Sequence, residues 1–408
     1  MSHRPSVEHD NELRLVVAAC RAPDDPQRAH AVEEALAAPI RWPRVAALAE
    51  RHRIAGLVHD ALARSHVDPA HLAGSGLAAQ ARSGALRTLS LTREALRLQQ
   101  LFDAHGVPCL TIKGAPIGVL AYGDVAIKHC WDIDLLIPPD RVAQACSLLR
   151  GAGYAMHEPV GLDDAQLLNF VAFAKEAIFI GPTGLAVELH WRLVDSPALL
   201  AGADPFAGPR QVPVGNGQLR TLNDRLQLAY LACHGQSHGW SRLKWIADVN
   251  GYLRRQPEST VAAMLDEADR LGAGGYAASA VWLCHTLFGL AVDEALVRQW
   301  RGRWSMRFAH AVNRRCIAGP VGGSDLTYYS VANLALIAAN LAAADSWRVR
   351  RGIAKTLWDR PVERARGAPG FALGYSLRRL ARLIIMLPNR ISRDRARHRQ
   401  AASRFQQD

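Results

Sequence analysis

Apolar residues recur three and four apart over residues 10–64, first in NELRLVVAACRA and later in RVAALAERHRIAGLVHDALA. That period puts one apolar stripe along a helix and predicts helices here. Pro43 fits the first turn of the second run, where a missing N–H costs nothing. A third such pattern over 84–105 (GALRTLSLTREALRLQQLFDAH) stops at Gly106, a normal helix end.

The period then changes. Residues 107–112 form a short apolar run, followed by Lys113-Gly114-Ala115-Pro116 and a helical stretch through Ala121, which reads as strand, glycine turn and helix. Residues 131–137 (WDIDLLI) alternate as a strand does, with Asp132 and Asp134 on one face and Ile133, Leu135 and Ile137 on the other. Pro138-Pro139-Asp140 comes next, and Asp140 is expected to cap the helix in RVAQACSLLRGAG, which stops at Gly151 or Gly153. A Gly181-Pro182-Thr183-Gly184 turn leads into a strand over 185–193. In it Glu188, His190 and Arg192 share one face, and Val187, Leu189 and Trp191 the other. Residues 107–193 thus make an α/β unit. From Thr221 to about residue 347 the helical period returns, with Asp224 and nearby polar residues supplying helix starts and no fixed-period repeat.

The chain of 408 residues is long enough for two or three domains. Its seven cysteines are scattered, form no CxxC pair and read as reduced core residues. Residues 1–14 are polar, so no signal peptide is expected and the default address is cytoplasmic. The net charge of +12 first suggests a nucleic-acid binder, but residues 348–408 hold 16 Arg and Lys against 4 acids, which leaves 33 of each sign in residues 1–347. Such a tail reads either as a contact for nucleic acid or an anionic surface, or as a solvated helical terminus. Residues 326–344 carry no charge, yet alanine dominates them and Asn333 and Asn340 interrupt them, so a buried helix is expected rather than a membrane span.

The Asp132 and Asp134 pair concentrates the chemistry. Two carboxylates that meet beside apolar neighbours repel each other and resist desolvation unless a cation neutralises them. A hard ion such as Mg²⁺ suits them, since it commonly takes one or two protein carboxylates and completes its shell with water and phosphate oxygens. Gly114 lets backbone N–H groups approach a phosphate, the following helix N-terminus adds partial positive charge, and Lys113 stands beside the turn.

In this order, the glycine turn, the Asp-x-Asp strand and the later Glu188 resemble the nucleotidyltransferase fold superfamily. Within it the chain is similar to a group of poorly characterised bacterial nucleotidyltransferase-like proteins. The likeness rests on Ile112-Lys113-Gly114, Tyr122-Gly123, a basic residue before the acids, Asp132-Ile133-Asp134-Leu135-Leu136 and Glu188-Leu189-His190-Trp191. It extends to His234, His238, Trp240, Arg242, Leu243 and Asp248, and covers most of residues 35–255. Two positions depart from the pattern: Ala115 stands where Gly or Ser is usual, and Lys128 where Arg is common.

The resemblance implies a helix-rich α+β fold in which a small mixed β-sheet nucleotidyltransferase domain is flanked by N- and C-terminal helical regions. The expected boundaries are 1–105 for the N-terminal helical module, 106–215 for the catalytic domain, 216–347 for the C-terminal helical domain and 348–408 for the basic tail. It also implies transfer of a nucleoside monophosphate from a nucleoside triphosphate such as ATP to an unidentified hydroxyl. Asp132 and Asp134 would hold two Mg²⁺ ions, and Glu188 would complete the second metal site or take the acceptor proton. Lys113, Gly114 and Lys128, with Arg242 or Lys244, would bind the triphosphate. His190 is read as packing against the strand of Trp191 in preference to orienting Glu188 or a substrate, and His234 and His238 as helix packing or an acceptor-side contact. Trp240, Arg242, Lys244, Trp245 and Asp248 fit either packing or contact with a base or triphosphate. Two rivals remain: a nucleotide-binding module without turnover, and an adaptor acting through the basic tail.

Overall fold

A computed structural model describes residues 10–319, 331–359 and 361–365. The N-terminal period yields helices Asn11–Ala19, Arg28–Leu36, Trp42–His52 and Ala55–Ala63, then the long helix Leu77–Ala104. Pro43 lies in the first turn of its helix, as its fixed φ favours.

Five strands follow: β1 (Leu110–Thr111), β2 (Asp132–Leu136), β3 (Ala155–Glu158), β4 (Glu176–Ile180) and β5 (Ala186–His190). They form one sheet in the order β1-β2-β5-β4-β3, with β2 and β5 parallel and the other neighbours antiparallel. The fold is therefore helix-rich α+β with a mixed sheet between two helical regions. The register sets Asp134 beside Glu188 across the parallel pair and Glu176 beside His190 across the antiparallel one. Because side chains alternate, these four lie on one face, while Ile133, Leu135, Val187, Leu189, Ala177 and Phe179 are buried on the other. Helix Leu77–Ala104 packs on β2, and helix Val142–Gly151 on β3. A hairpin of β6 (Arg210–Val214) and β7 (Gly217–Thr221) precedes helices Asp224–Ser237 and Leu243–Arg254.

The segment entering β2 is pinned by one hydroxyl. Thr88 Oγ1, on the long helix, donates to the Lys128 carbonyl at 2.7 Å and accepts from the Cys130 N–H at 3.1 Å. On the far side, helix Ala115–Tyr122 meets helix Leu243–Arg254 at Gly251, where an added Cβ would stand 2.6 Å from the Ala121 carbonyl oxygen. A glycine is required there for the two backbones to approach.

Three local expectations change. β5 ends at His190, so Arg192 leaves the strand face and donates to the Val171 carbonyl at 2.6 Å. Asp140 does not cap the next helix: it sits in a 3₁₀ turn, Pro139–Arg141, that runs into helix Val142–Gly151 without a side-chain cap. Residues 331–343 of the uncharged stretch form helix Val331–Ala343, with Ala339 and Ala343 buried, and residues 326–330 lie outside the described residues. No helix among the described residues is long and apolar enough to cross a membrane. The basic tail is described only through helices Trp347–Trp358 and Pro361–Ala365; residues 366–408 lie outside. All seven cysteines are free thiols, buried except for the half-buried Cys316.

The Gly251 approach is testable. Gly251→Ala adds about 1 kcal/mol of helix propensity but forces a methyl against backbone that cannot rotate aside, an overpacking cost of about 1–3 kcal/mol. The urea unfolding midpoint is expected to fall; an unchanged or higher midpoint would show that the two helices separate freely.

Candidate active site

The polar face of the sheet borders a cavity of about 370 Å³. Lys113, Gly114, Lys128, Asp132, Asp134, Glu176 and Glu188 line it from the sheet side, and His234, His238, Arg242, Lys244, Trp245 and Asp248 from the two helices beyond the hairpin. Arg53 of the N-terminal region and Lys175, before β4, also line it.

Gly114 has φ +69° and ψ −128°, a conformation that side chains other than glycine's resist, and it starts helix Ala115–Tyr122. First-turn N–H groups have no acceptor within a helix. Ala115 and Ile117 therefore supply donors here, while Pro116 has no N–H to give. Ala115 is buried, so a phosphate at this turn would meet backbone rather than a hydroxyl.

Asp134 is only 2% exposed and is held by Lys113, whose Nζ lies 2.6 Å from Oδ1. His190 Nε2 lies 3.3 Å from the same oxygen and 3.5 Å from Glu188 Oε2. Burial pushes the Asp134 carboxyl upward, but Lys113 and His190 outweigh it and hold the group well below the usual carboxylate range. Burial pulls the Lys113 ammonium down, and Asp134, with smaller effects from Tyr230, Glu188 and Asp132, raises it well above its ordinary value. Burial and the neighbouring Asp134 charge raise the Glu188 pKa. Asp132, half-buried, is on the same face two residues earlier.

Behind these groups, His190 Nδ1 lies 3.1 Å from Glu176 Oε2, and Lys175 Nζ lies 2.6 Å from that oxygen. Burial depresses the His190 imidazole, but Glu176 and then Asp134 and Glu188 raise it above its ordinary value. Asp134, Glu188 and His190 present ligand atoms within 4.8 Å of one another, a group that could hold a metal ion.

The other basic candidates differ in kind. Lys128 is buried and ion-paired with Asp248, whose second oxygen accepts from the Tyr122 hydroxyl at 2.8 Å. Lys128 and Asp248 thus join three elements at the cavity wall. Lys244 lies with its Nζ 5.7 Å from the Trp245 ring centroid. Burial, partly opposed by Asp132 and reinforced by Lys128 and Arg53, lowers its pKa to about 8. Arg242 reaches the Arg51 carbonyl at 3.4 Å while lining the cavity. Trp240 is fully buried against Gly235 and donates to Gln236, a packing role. His238 stacks on Trp245 at 4.7 Å and His234 meets it edge-on at 5.6 Å, so both histidines are part of the cavity wall.

Reading the sequence misses Lys175 and Glu176 and, for His190, prefers packing over orientation of Glu188. A signal for Glu176 exists: pairing outward from the Gly181–Gly184 turn, Ile180 with Ala186, brings Glu176 opposite His190.

Among comparisons with known proteins, a family model described as an uncharacterised nucleotidyltransferase matches residues 38–289. No curated protein matches the chain.

Lys113 is the counter-ion of the buried acids. Lys113→Met leaves Asp134 beside Glu188 with one cation fewer, a change expected to cost about 3 kcal/mol of unfolding free energy in chelator-containing buffer. Added divalent metal should then raise the melting temperature of the variant more than that of the wild type. Equal metal responses would deny that a cation takes over from the ammonium.

Proposed function

The chain belongs to the uncharacterised nucleotidyltransferase family, and we propose that it moves a nucleoside monophosphate from a nucleoside triphosphate to an acceptor hydroxyl with release of pyrophosphate. The observation that carries this reading is the pairing of Asp134 with Glu188 in one cavity with Asp132, Lys113 and the Gly114 turn. The donor set fits a hard divalent cation: Asp132, Asp134 and Glu188 offer carboxylate oxygens on one face of the sheet. Bound there, Mg²⁺ would polarise the phosphate and neutralise charge on the leaving pyrophosphate.

The chain's own residues do the rest. The backbone at Gly114 and the first turn after it cradle phosphate oxygens, and Lys113, Arg242 and Lys244 offset the triphosphate charge. Lys128 contributes its charge while tied to Asp248. The acceptor oxygen bonds to the α-phosphorus as the bond to the bridging oxygen breaks. Glu188 receives the acceptor proton in this reading, on the carboxylate oxygen that it does not offer to the cation. Ala115 favours one alternative, nucleotide binding without turnover, because no hydroxyl is present to follow the phosphate through the reaction.

Two measurements bear on the proposal. Across the four nucleoside triphosphates tested against pools of small-molecule and macromolecular acceptors, metal-dependent pyrophosphate release is expected from the wild type and not from an Asp132→Asn/Asp134→Asn variant. Release that survives the double change sinks the assignment, and stoichiometric retention of nucleotide without release supports the binding-only alternative.

The second concerns pH. Lys244 is cationic below its pKa of about 8 and neutral above it, so triphosphate affinity should weaken as pH rises from 7.5 to 9.5. Lys244→Gln should bind less tightly at pH 7.5 and show a flat profile over that window. A wild-type slope retained in the variant removes Lys244 from the triphosphate contacts.

A further inference from the structure

We infer that His190 is a metal ligand through Nε2, and that the site consequently prefers a first-row transition dication such as Mn²⁺ over Mg²⁺. This deepens the metal-dependent reading above and rests on it. His190 is 1% exposed, and Nε2 faces Asp134 Oδ1 at 3.3 Å and Glu188 Oε2 at 3.5 Å. An ion among these atoms would meet two carboxylate oxygens and one imidazole nitrogen.

The opposite edge of the ring faces a further carboxylate. Nδ1 lies 3.1 Å from Glu176 Oε2, and Glu176 is itself held by Lys175 at 2.6 Å. The Nδ1 contact is an ion-pair distance outside hydrogen-bond geometry; a carboxylate on this side of the ring still favours the proton on Nδ1, which leaves the Nε2 lone pair for a metal. The strand register builds the arrangement, because His190 stands opposite Leu136 of β2 on one side and Glu176 of β4 on the other. A histidine that merely fills space needs neither a carboxylate at its back nor two at its front.

The donor set then bears on the ion. Mg²⁺ prefers oxygen and retains several waters, whereas imidazole suits transition metals. Replacing one water-filled position with a fixed nitrogen therefore favours the latter. Lys113 shares Asp134 Oδ1 with His190, so entry of the ion requires its flexible stem to swing away, which frees the ammonium for phosphate.

The test uses the full chain, freed of metal with a chelator and titrated without nucleotide. Mn²⁺ is expected to bind at least about tenfold more tightly than Mg²⁺ by competition, and pulsed electron paramagnetic resonance should detect one directly coordinated ¹⁴N. His190→Gln should abolish that coupling and weaken Mn²⁺ by about 10–100-fold, with a much smaller effect on Mg²⁺. Glu176→Gln should keep the coupling yet weaken Mn²⁺ by about tenfold or more. Absence of nitrogen coupling in the wild type, coupling that persists in His190→Gln, or equal affinity for the two ions would overturn the inference. The wild-type spectrum decides even where a variant fails to fold. Because no nucleotide is present, a protein that binds Mn²⁺ through nitrogen but releases no pyrophosphate refutes the transfer reaction and leaves the ligand assignment standing.

Discussion

Asp134 and Glu188 stand side by side on parallel neighbouring strands, one fully buried and the other largely so, and the rest of the structure answers that repulsion. Two like charges this close and this poorly hydrated are tolerated only where cations are built in around them. Lys113 reaches Asp134 from the turn after β1, and His190 reaches both acids from the end of β5. The strand order follows the same need. Only with β2 paired to β5 do the Asp-x-Asp strand and the later glutamate share an edge, and only with β4 on the far side of β5 does Glu176 come to stand behind His190.

The helices beyond the hairpin line the cavity beside this charged sheet face. Asp248 binds Lys128 and the Tyr122 hydroxyl together, which ties helix Leu243–Arg254 to the segment entering β2 and to the helix that begins at Gly114. The close approach at Gly251 sets the distance between those same helices. Trp245, stacked on His238 and meeting His234 edge-on, lines the cavity with them. The geometry of the acids on the sheet therefore depends on packing in the helical region, and low local dielectric around them depends on both.

Much of this was legible in the chain because the responsible signals are local. Alternation in WDIDLLI separates acids from core residues, the Gly106 and Gly114 positions punctuate helix, strand and turn, and a three-and-four period marks the flanking helices. What escaped was set by pairing between distant segments. β4 (EAIFI) carries too few polar positions to show which face is wet, so Glu176 gains meaning only once the turn fixes its partner. His190 looked like packing because burial beside Trp191 is real; its role depends on neighbours 14 and 56 positions away. Asp140 failed as a cap because the chain continues through a 3₁₀ turn, whose own hydrogen bonds replace a side-chain acceptor. Trp240 and Trp245, five residues apart in one stretch, divide between core and cavity according to tertiary contacts that no period encodes.

The balance of charge around the cavity bears on what it is built to receive. Three cations are already matched to carboxylates inside it: Lys113 with Asp134, Lys128 with Asp248, and Lys175 with Glu176. The lining also contains Asp132 and Glu188 on the sheet, and Arg53, Arg242 and Lys244 from the helical regions. Burial, and after it the charges of Lys244, Arg53, Arg87 and Lys128, pull the nearby His129 down to about 4. Arg53 and Arg87 also lie over the ring of Trp131, which is 41% exposed immediately before Asp132. A simple cation would find the acids but be opposed by the basic side; a simple anion would find the reverse. A metal-bound polyphosphate, the ligand of the proposed reaction, would satisfy both at once, and that complementarity would belong to the whole cavity rather than to the Asp-x-Asp strand alone.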